Sequence, residues 1–439
     1  MVGLNRGRWM VSALAALTML AACGSDGAES GEDGNVQISF LTHWGPDQVT
    51  MLNEAVEAFE EENPDISVEV RAVPFANLLS TLRTQGSSPN GPTMASVYDL
   101  WLPELVRDGL AAPAPDAVAD EVTSGWPENL VDVITVDDAV RGFPNEVNLY
   151  ALNYNKALFD EAGIDAPPTT WDELRDTAEQ LTDPEKGQQG FGVITSWPAG
   201  SVHPWLSLVA SNGGQLLDGN TAQLEAGPVL ETTQLYADLV ADGSTVPEMS
   251  TANANTTGPY LDNFVNGKTA MIIMANWWKG SLSEAMGDRF DDVGVAPIPV
   301  GPSGSEPTGV SYSWLTVVNE QAQPAQQEAA WKFLSWLNGE SSGEDGSSAM
   351  GDILMSMGIL PSRTGDLDAH ADDLSDPFLS AYVDQLPAAT PFPIVLGGEE
   401  LTVSVQQQLE NVIFGSSDPE TAMGQAQSEA QAILDKSGE

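Results

Sequence analysis

The chain has 439 residues, with 64 acidic against 15 basic side chains and a formal net charge of −49 at pH 7. That balance excludes a nucleic-acid partner, which needs a cationic face against phosphate. A single cysteine excludes a disulfide scaffold, and a chain of this length buries enough core without one, most naturally as two domains. The carboxylates are dispersed, with only short runs such as Glu60-Glu61-Glu62, so a solvated surface is their default role and adaptation to high salt a sharper one. They show no metal-ligand spacing, and neither a metal nor a cofactor is expected.

In chain order, the first element reads as an export signal. Arg6 and Arg8 precede an apolar run from Trp9 to Ala22, broken only by Ser12 and Thr18, too short for a comfortable membrane span. It ends in Leu20-Ala21-Ala22-Cys23, which resembles the bacterial lipobox. Residues 1–22 are then a signal peptide, and Cys23 becomes a lipidated N-terminus that holds the chain outside the cytoplasm, on the membrane, by its acyl chains alone. A buried thiol behind an ordinary signal peptide is the plainer alternative. Residues 23–35 are small and acidic, a flexible tether.

Strand and helix patterns alternate from there, predicting an α/β fold. Val36 to Leu41 is a strand. A helix from about Asp47 puts Leu52, Ala55, Val56 and Phe59 on one face, and Asn63-Pro64 stops it. Strands at 66–70 and 94–98, with helices at 78–84 and 102–107, make a β-α-β succession and a parallel sheet. The segment from Gly142 to Val147 is the expected interdomain crossing. Beyond it come a strand at 149–154 and a helix through Leu181, opened by a capping box at Thr170 and Glu173. Strands follow at 191–195, 270–274, 293–297 and 310–318, then a helix at 325–337. The Gly/Ser-rich stretch from Gly339 to Ser348 reads as a loop or linker, and Asp418-Pro419 opens the last helix. No internal repeat or heptad run is visible.

Several blocks carry a family resemblance. Leu52 to Val73 gives an apolar helix, an Asn-Pro turn and a strand. The run from Gly142 to Leu181 contains Gly142-Phe143-Pro144, Leu152-Asn153-Tyr154-Asn155-Lys156 and Pro167 to Leu174. Phe264 to Met271 followed by Trp277, and Ala330-Trp331-Lys332-Phe333-Leu334, complete the set. From about Val36 to Lys436 the chain resembles the family 1 extracellular solute-binding proteins, the maltose-binding-protein-like group, although Pro92-Thr93-Met94 departs from that family's usual Pro-Asp-Val. The resemblance implies a two-lobed, type II periplasmic-binding-protein-like fold with a ligand cleft between lobes joined by hinge segments. The expected divisions are 36–146 for the N-lobe, 147–308 for the C-lobe, 309–345 returning to the N-lobe, and C-terminal helices at 346–439 mainly on the C-lobe. It also implies a monomer whose partners are a small carbohydrate and the permease subunits of an ABC importer with their cytoplasmic ATPase.

Ligands of open α/β sheets sit beyond the carboxyl ends of strands. That rule selects His43 and Trp44 after the first strand, Asp99 and Trp101 after the third, and Asn145 and Glu146 at the crossing. It adds Trp197, with Trp205 shortly beyond, Trp277 and Trp278 after Met274, and Tyr312, Ser313 and Trp314 if the chain crosses back near Gly309. Indoles can stack on sugar rings while Asp, Asn and Glu satisfy hydroxyls. Each tryptophan also has a core reading, favoured for Trp171, Trp331 and Trp336 on helices. Arg363 is either a forked donor to ligand or a surface charge partner. Because few basic residues lie in these loops, a neutral mono- or oligosaccharide is favoured over an anion. Alternatives with the same fold are a glycerophosphodiester, polyamine, peptide or metal chelate as cargo. A glycan-active enzyme is disfavoured, because His43, His203 and His370 form no close pair and no HExxH, CxxC or GxSxG occurs. A surface adhesion or scaffold protein without a small ligand is the remaining class.

Overall fold

The computed structural model describes residues 35–88, 90–253 and 258–437. The signal peptide, Cys23 and all of the tether except Asn35 lie outside the described residues. The first strand, Val36–Thr42, runs parallel to Ile66–Ala72 on one side and Met94–Tyr98 on the other. Helix Pro46–Glu62 connects the first two, burying Leu52, Ala55, Val56 and Phe59 and ending at Asn63, the residue before a proline. Strand Val310–Val318 then adds antiparallel to Met94–Tyr98.

The central element is the strand Phe143–Asn155. Over its first part it pairs with Val310–Val318, from Phe143↔Thr316 to Leu149↔Ser311. Over its second part it pairs with Thr269–Ala275, from Tyr150↔Ala275 to Tyr154↔Met271, and with Val293–Ala296 on its other edge. Gln189–Gly192 lies parallel beyond Thr269–Ala275. One strand therefore belongs to both halves of the sheet. The short strands Leu360–Pro361 and Thr390–Pro391 add to the same crossing region, against Val147 and Glu146 and against Val310 and Ser311.

The sequence reading put the interdomain crossing at 142–147 and began the strand only at Leu149, whereas the strand starts at Phe143 and runs through that segment. Proline cannot donate to a ladder, so Pro144 reads as an interruption. The structure absorbs it at a bulge: Trp314 faces Glu146 and Leu315 faces Pro144, leaving Asn145 without an opposite residue. Helix Pro198–Ser211 carries Pro204 inside it and is buried along most of its length. Its packing surface outweighs the lost backbone bond.

Thr170 and Glu173 form the expected capping box at the start of helix Trp171–Gln180. The segment 346–439 distributes its helices. Ala349–Ser356 packs on Pro46–Glu62, and Pro377–Val383 packs on Val293–Ala296. Gly398–Ile413 and Pro419–Ser437 pack on each other and on helix Gly227–Ala241, and Gly398–Ile413 also covers Pro198–Ser211.

Backbone approach at the crossing is tight. A Cβ at Gly309, the residue entering strand Val310–Val318, would stand 2.0 Å from the carbonyl oxygen of Tyr150. Gly309→Ala should therefore force the two crossing strands apart and lower stability by about 1–3 kcal/mol. Urea denaturation reads this directly, and an unchanged midpoint would show that the crossing is not so constrained.

Candidate ligand-binding site

A cleft of about 660 Å³ opens where the two halves of the sheet meet, inside the range usual for small-molecule sites. Side-chain alternation builds its floor. Along the shared strand, Glu146 and Tyr150 face the cleft and Asn148 lies between them, donating to the Glu146 carboxylate at 2.7 Å. Along the neighbouring strand Tyr312 and Trp314 face the same way. The first lobe contributes His43 and Trp44 after its first strand, Phe75 from a helix N-terminus and Tyr98 from the end of Met94–Tyr98. The other half contributes Trp197 and His203 from the start of helix Pro198–Ser211 and Trp277 beyond Thr269–Ala275.

The aromatic rings brace one another. Trp314 stacks on Tyr98 with centroids 6.0 Å apart, and His43 lies 4.4 Å from Trp314. Trp197 and Trp277 meet edge to face at 6.0 Å. A hydrogen bond joins the halves within the cleft: the Tyr98 hydroxyl and His203 Nε2 are 2.8 Å apart. Past Phe75, Tyr98, Trp197 and Ala199 the cleft continues into an annex of about 440 Å³ that includes Trp101, whose indole donates to Glu399.

The other expected contacts go elsewhere. Trp205 is fully buried, its indole donating to Thr233, and Trp278 is fully buried against Tyr260 and Phe264. Both are core. Asn145 and Ser313 sit at odd positions of their strands and point away from the cleft. Asn145 donates to Thr316, and the Ser313 hydroxyl donates to the Glu146 carbonyl. Asp99 lies behind the floor, where one carboxylate oxygen accepts the Ser313 amide and the other has no partner. Arg363 pairs with Glu340 and Asp366 away from the cleft, which makes it a structural charge partner. Sequence reasoning missed Phe75, Tyr98, Tyr150 and His203 as cleft residues. Tyr98 ends a strand and was open to the strand-end rule, whereas His203 sits inside helix Pro198–Ser211, past the strand-end positions that the rule selects.

A larger opening, about 960 Å³, lies between helix Pro46–Glu62 and the segment 342–377. Its one lysine, Lys279, already pairs with Asp376, His370 lies against Asp352, and no Phe, Tyr or Trp lines it. The interlobe cleft is the better site because it offers ring faces and unsatisfied polar atoms together. Those atoms are His43 Nδ1, His203 Nδ1 and the Tyr150 hydroxyl. Among the described residues no cluster of His, Cys, Asp or Glu is arranged to hold a metal ion.

Burial sets the protonation states here. It raises Asp99 to about 8 and Glu146 to about 7, and it lowers His43 to about 4 and His203 to about 3. Above the ordinary histidine value of about 6.5, only the carboxylates of this set still distinguish folded from unfolded chain. The folded state holds protons that the unfolded chain has released, so stability should fall as pH rises from about 6.5 to about 8. Between about pH 4 and 6.5 the histidines oppose this, because the unfolded chain protonates them first. Melting temperatures across the upper window should decline in the native protein and stay flatter in a doubly substituted Asp99→Asn, Glu146→Gln chain. Equal slopes would contradict the assignment.

Comparison with known proteins agrees with this geometry. A Brucella abortus (strain 2308) protein described only as a binding protein is 28% identical over 432 residues, 98% of this chain and 99% of its own length. The galactooligosaccharide-binding protein of Bacillus subtilis (strain 168) is 22% identical, covering 94% of each chain. Among solved structures, the GacH receptor of Streptomyces glaucescens GLA.O superposes with a TM-score of 0.77 at 20% identity, covering 91% of this chain and 99% of that one. Maltose-bound MalE3 of T. maritima gives 0.76 at 21%, covering 91% and 100%. These structures establish the two-lobed fold. The model of the bacterial extracellular solute-binding protein family matches residues 45–344, more than half of the sequence, and the chain belongs to that family.

Proposed function

We propose that this protein is the capture subunit of an ABC importer for a carbohydrate. It binds the solute in the interlobe cleft and presents it to membrane permease subunits driven by a cytoplasmic ATPase. The observation that carries this reading is the aromatic lining contributed by both halves, Trp44, Phe75, Tyr98 and Trp314 from one and Trp197 and Trp277 from the other. Flat rings match the apolar faces of sugars, and the unpartnered nitrogens and hydroxyls between them match hydroxyl groups. The maltotriose-binding protein of Pyrococcus abyssi and the Bacillus subtilis relative support that class of ligand. The annex beside Trp101 gives room for more than one ring.

In this reading the change of partners between Leu149 and Tyr150 marks the lobe boundary. A sugar touching both halves stabilises their closed arrangement by its differential affinity, and the permease recognises that form. The protein works as a monomer outside the cytoplasm, held by a lipid on Cys23. No helix among the described residues is long and apolar enough to cross a membrane, which is compatible with such an anchor. Its role is binding and not catalysis, a reading supported by relatives that are binding proteins and by burial that makes the cleft histidines poor proton acceptors.

A thermal-shift series against mono- and oligosaccharides tests the proposal, because a ligand of the native state must raise its melting temperature. Failure of every sugar to do so would contradict it. Trp277→Ala should weaken binding by about 1–3 kcal/mol while leaving the ligand-free melting temperature near that of the parent. Trp205→Ala should instead lower stability by about 3–5 kcal/mol. Calorimetric titration and urea denaturation separate the two effects, and a reversed pattern would remove Trp277 from the site.

A further inference from the structure

Glu146 stands on the cleft floor at 6% exposure, and its carboxylate accepts the Asn148 amide. Behind it Asp99 is buried to 3% exposure with one oxygen unpartnered. Among the described residues neither has a cationic partner. No Lys or Arg lines the cleft. Arg83 in the annex is bound to Glu104, and Lys279, outside the rim, is paired with Asp376. At the mouth, Asp47 on helix Pro46–Glu62 faces the opening along with Glu284 on helix Trp278–Met286, from opposite halves.

Two buried carboxylates without a countercharge are costly, and removing the cost requires a proton or a cation. The aromatic walls are suited to the second, since ring faces attract an ammonium group electrostatically. The earlier expectation of a neutral sugar rested on the scarcity of cationic side chains. That scarcity argues against an anion but does not separate a neutral ligand from a positive one.

Building on the carbohydrate reading, we infer that the cleft is selective for an amine-bearing sugar, whose ammonium group pairs with Glu146 between the aromatic walls. Sugar rings stack on the indoles, and the charged nitrogen supplies the countercharge that the floor lacks. Burial holds a proton on Glu146 near neutral pH in the empty cleft, and the incoming cation displaces it.

The test uses the mature chain and pairs of sugars that differ only in the amine: glucosamine with glucose, galactosamine with galactose, and the disaccharide of glucosamine with cellobiose. By calorimetric titration at about pH 6, at least one amine form should bind about tenfold or more tighter than its hydroxyl counterpart. Its binding should release up to about one proton, read from buffers of different ionisation enthalpy. Acetylating the amine, which removes the charge and keeps the nitrogen, should cancel the gain, and Glu146→Gln should bring the paired affinities together. Neutral sugars that bind as well as or better than every amine form overturn the inference and leave the carbohydrate reading standing. A preference that persists in Glu146→Gln overturns the pairing. Binding of spermidine with no sugar of either kind overturns both readings, as does binding of none of these compounds. Proton release in the unsubstituted protein is independent of whether Glu146→Gln folds.

Discussion

The architecture depends on one stretch of backbone that is hydrogen-bonded into two places at once. Phe143–Asn155 pairs with Val310–Val318 through Leu149 and with Thr269–Ala275 from Tyr150 onward. Movement of one half against the other must therefore be absorbed within a single strand and its few crossing neighbours. The cleft floor is made at that changeover. Because strand side chains alternate, Glu146 and Tyr150 rise on one face, while Val147 lies with Ser313 and Asp99 on the other.

The second constraint is polar burial. The cleft carries His43, His203 and Tyr150 with atoms that bond to nothing in the protein, and a buried donor or acceptor left unpaired is expensive. Residues retained at that expense in an aromatic-walled cavity are explained by a ligand that satisfies them. The Tyr98 to His203 hydrogen bond shows how little separates the two halves, and the low affinity of His203 for a proton follows from the rings packed around it, Tyr150, Tyr312 and Phe392.

Much of this was legible in the residues. Strand Met94–Tyr98, helix Leu102–Arg107 and strand Val310–Val318 fall where their patterns place them, and Trp44, Glu146, Trp197, Trp277, Tyr312 and Trp314 line the cleft as the strand-end and crossing rules suggest. What could not be read was orientation. A one-residue step along a strand turns a contact into a core atom, which is why Ser313 and Asn145 were named beside Trp314 and Glu146. Pro144 concealed the start of the shared strand, and the pattern does not show that helix Pro198–Ser211 carries His203 into the cleft and Trp205 into the core. Tryptophan spacing cannot tell Trp277 from Trp278, one half-buried at the cleft and the other enclosed by Tyr260 and Phe264.

The central claim is that a sugar is clamped between two halves that turn about the shared strand. Small-angle scattering of the protein, with and without a saturating sugar identified by thermal shift, reads that movement. The radius of gyration should fall on binding as the halves close. A bound protein with the same radius as the empty one would contradict it.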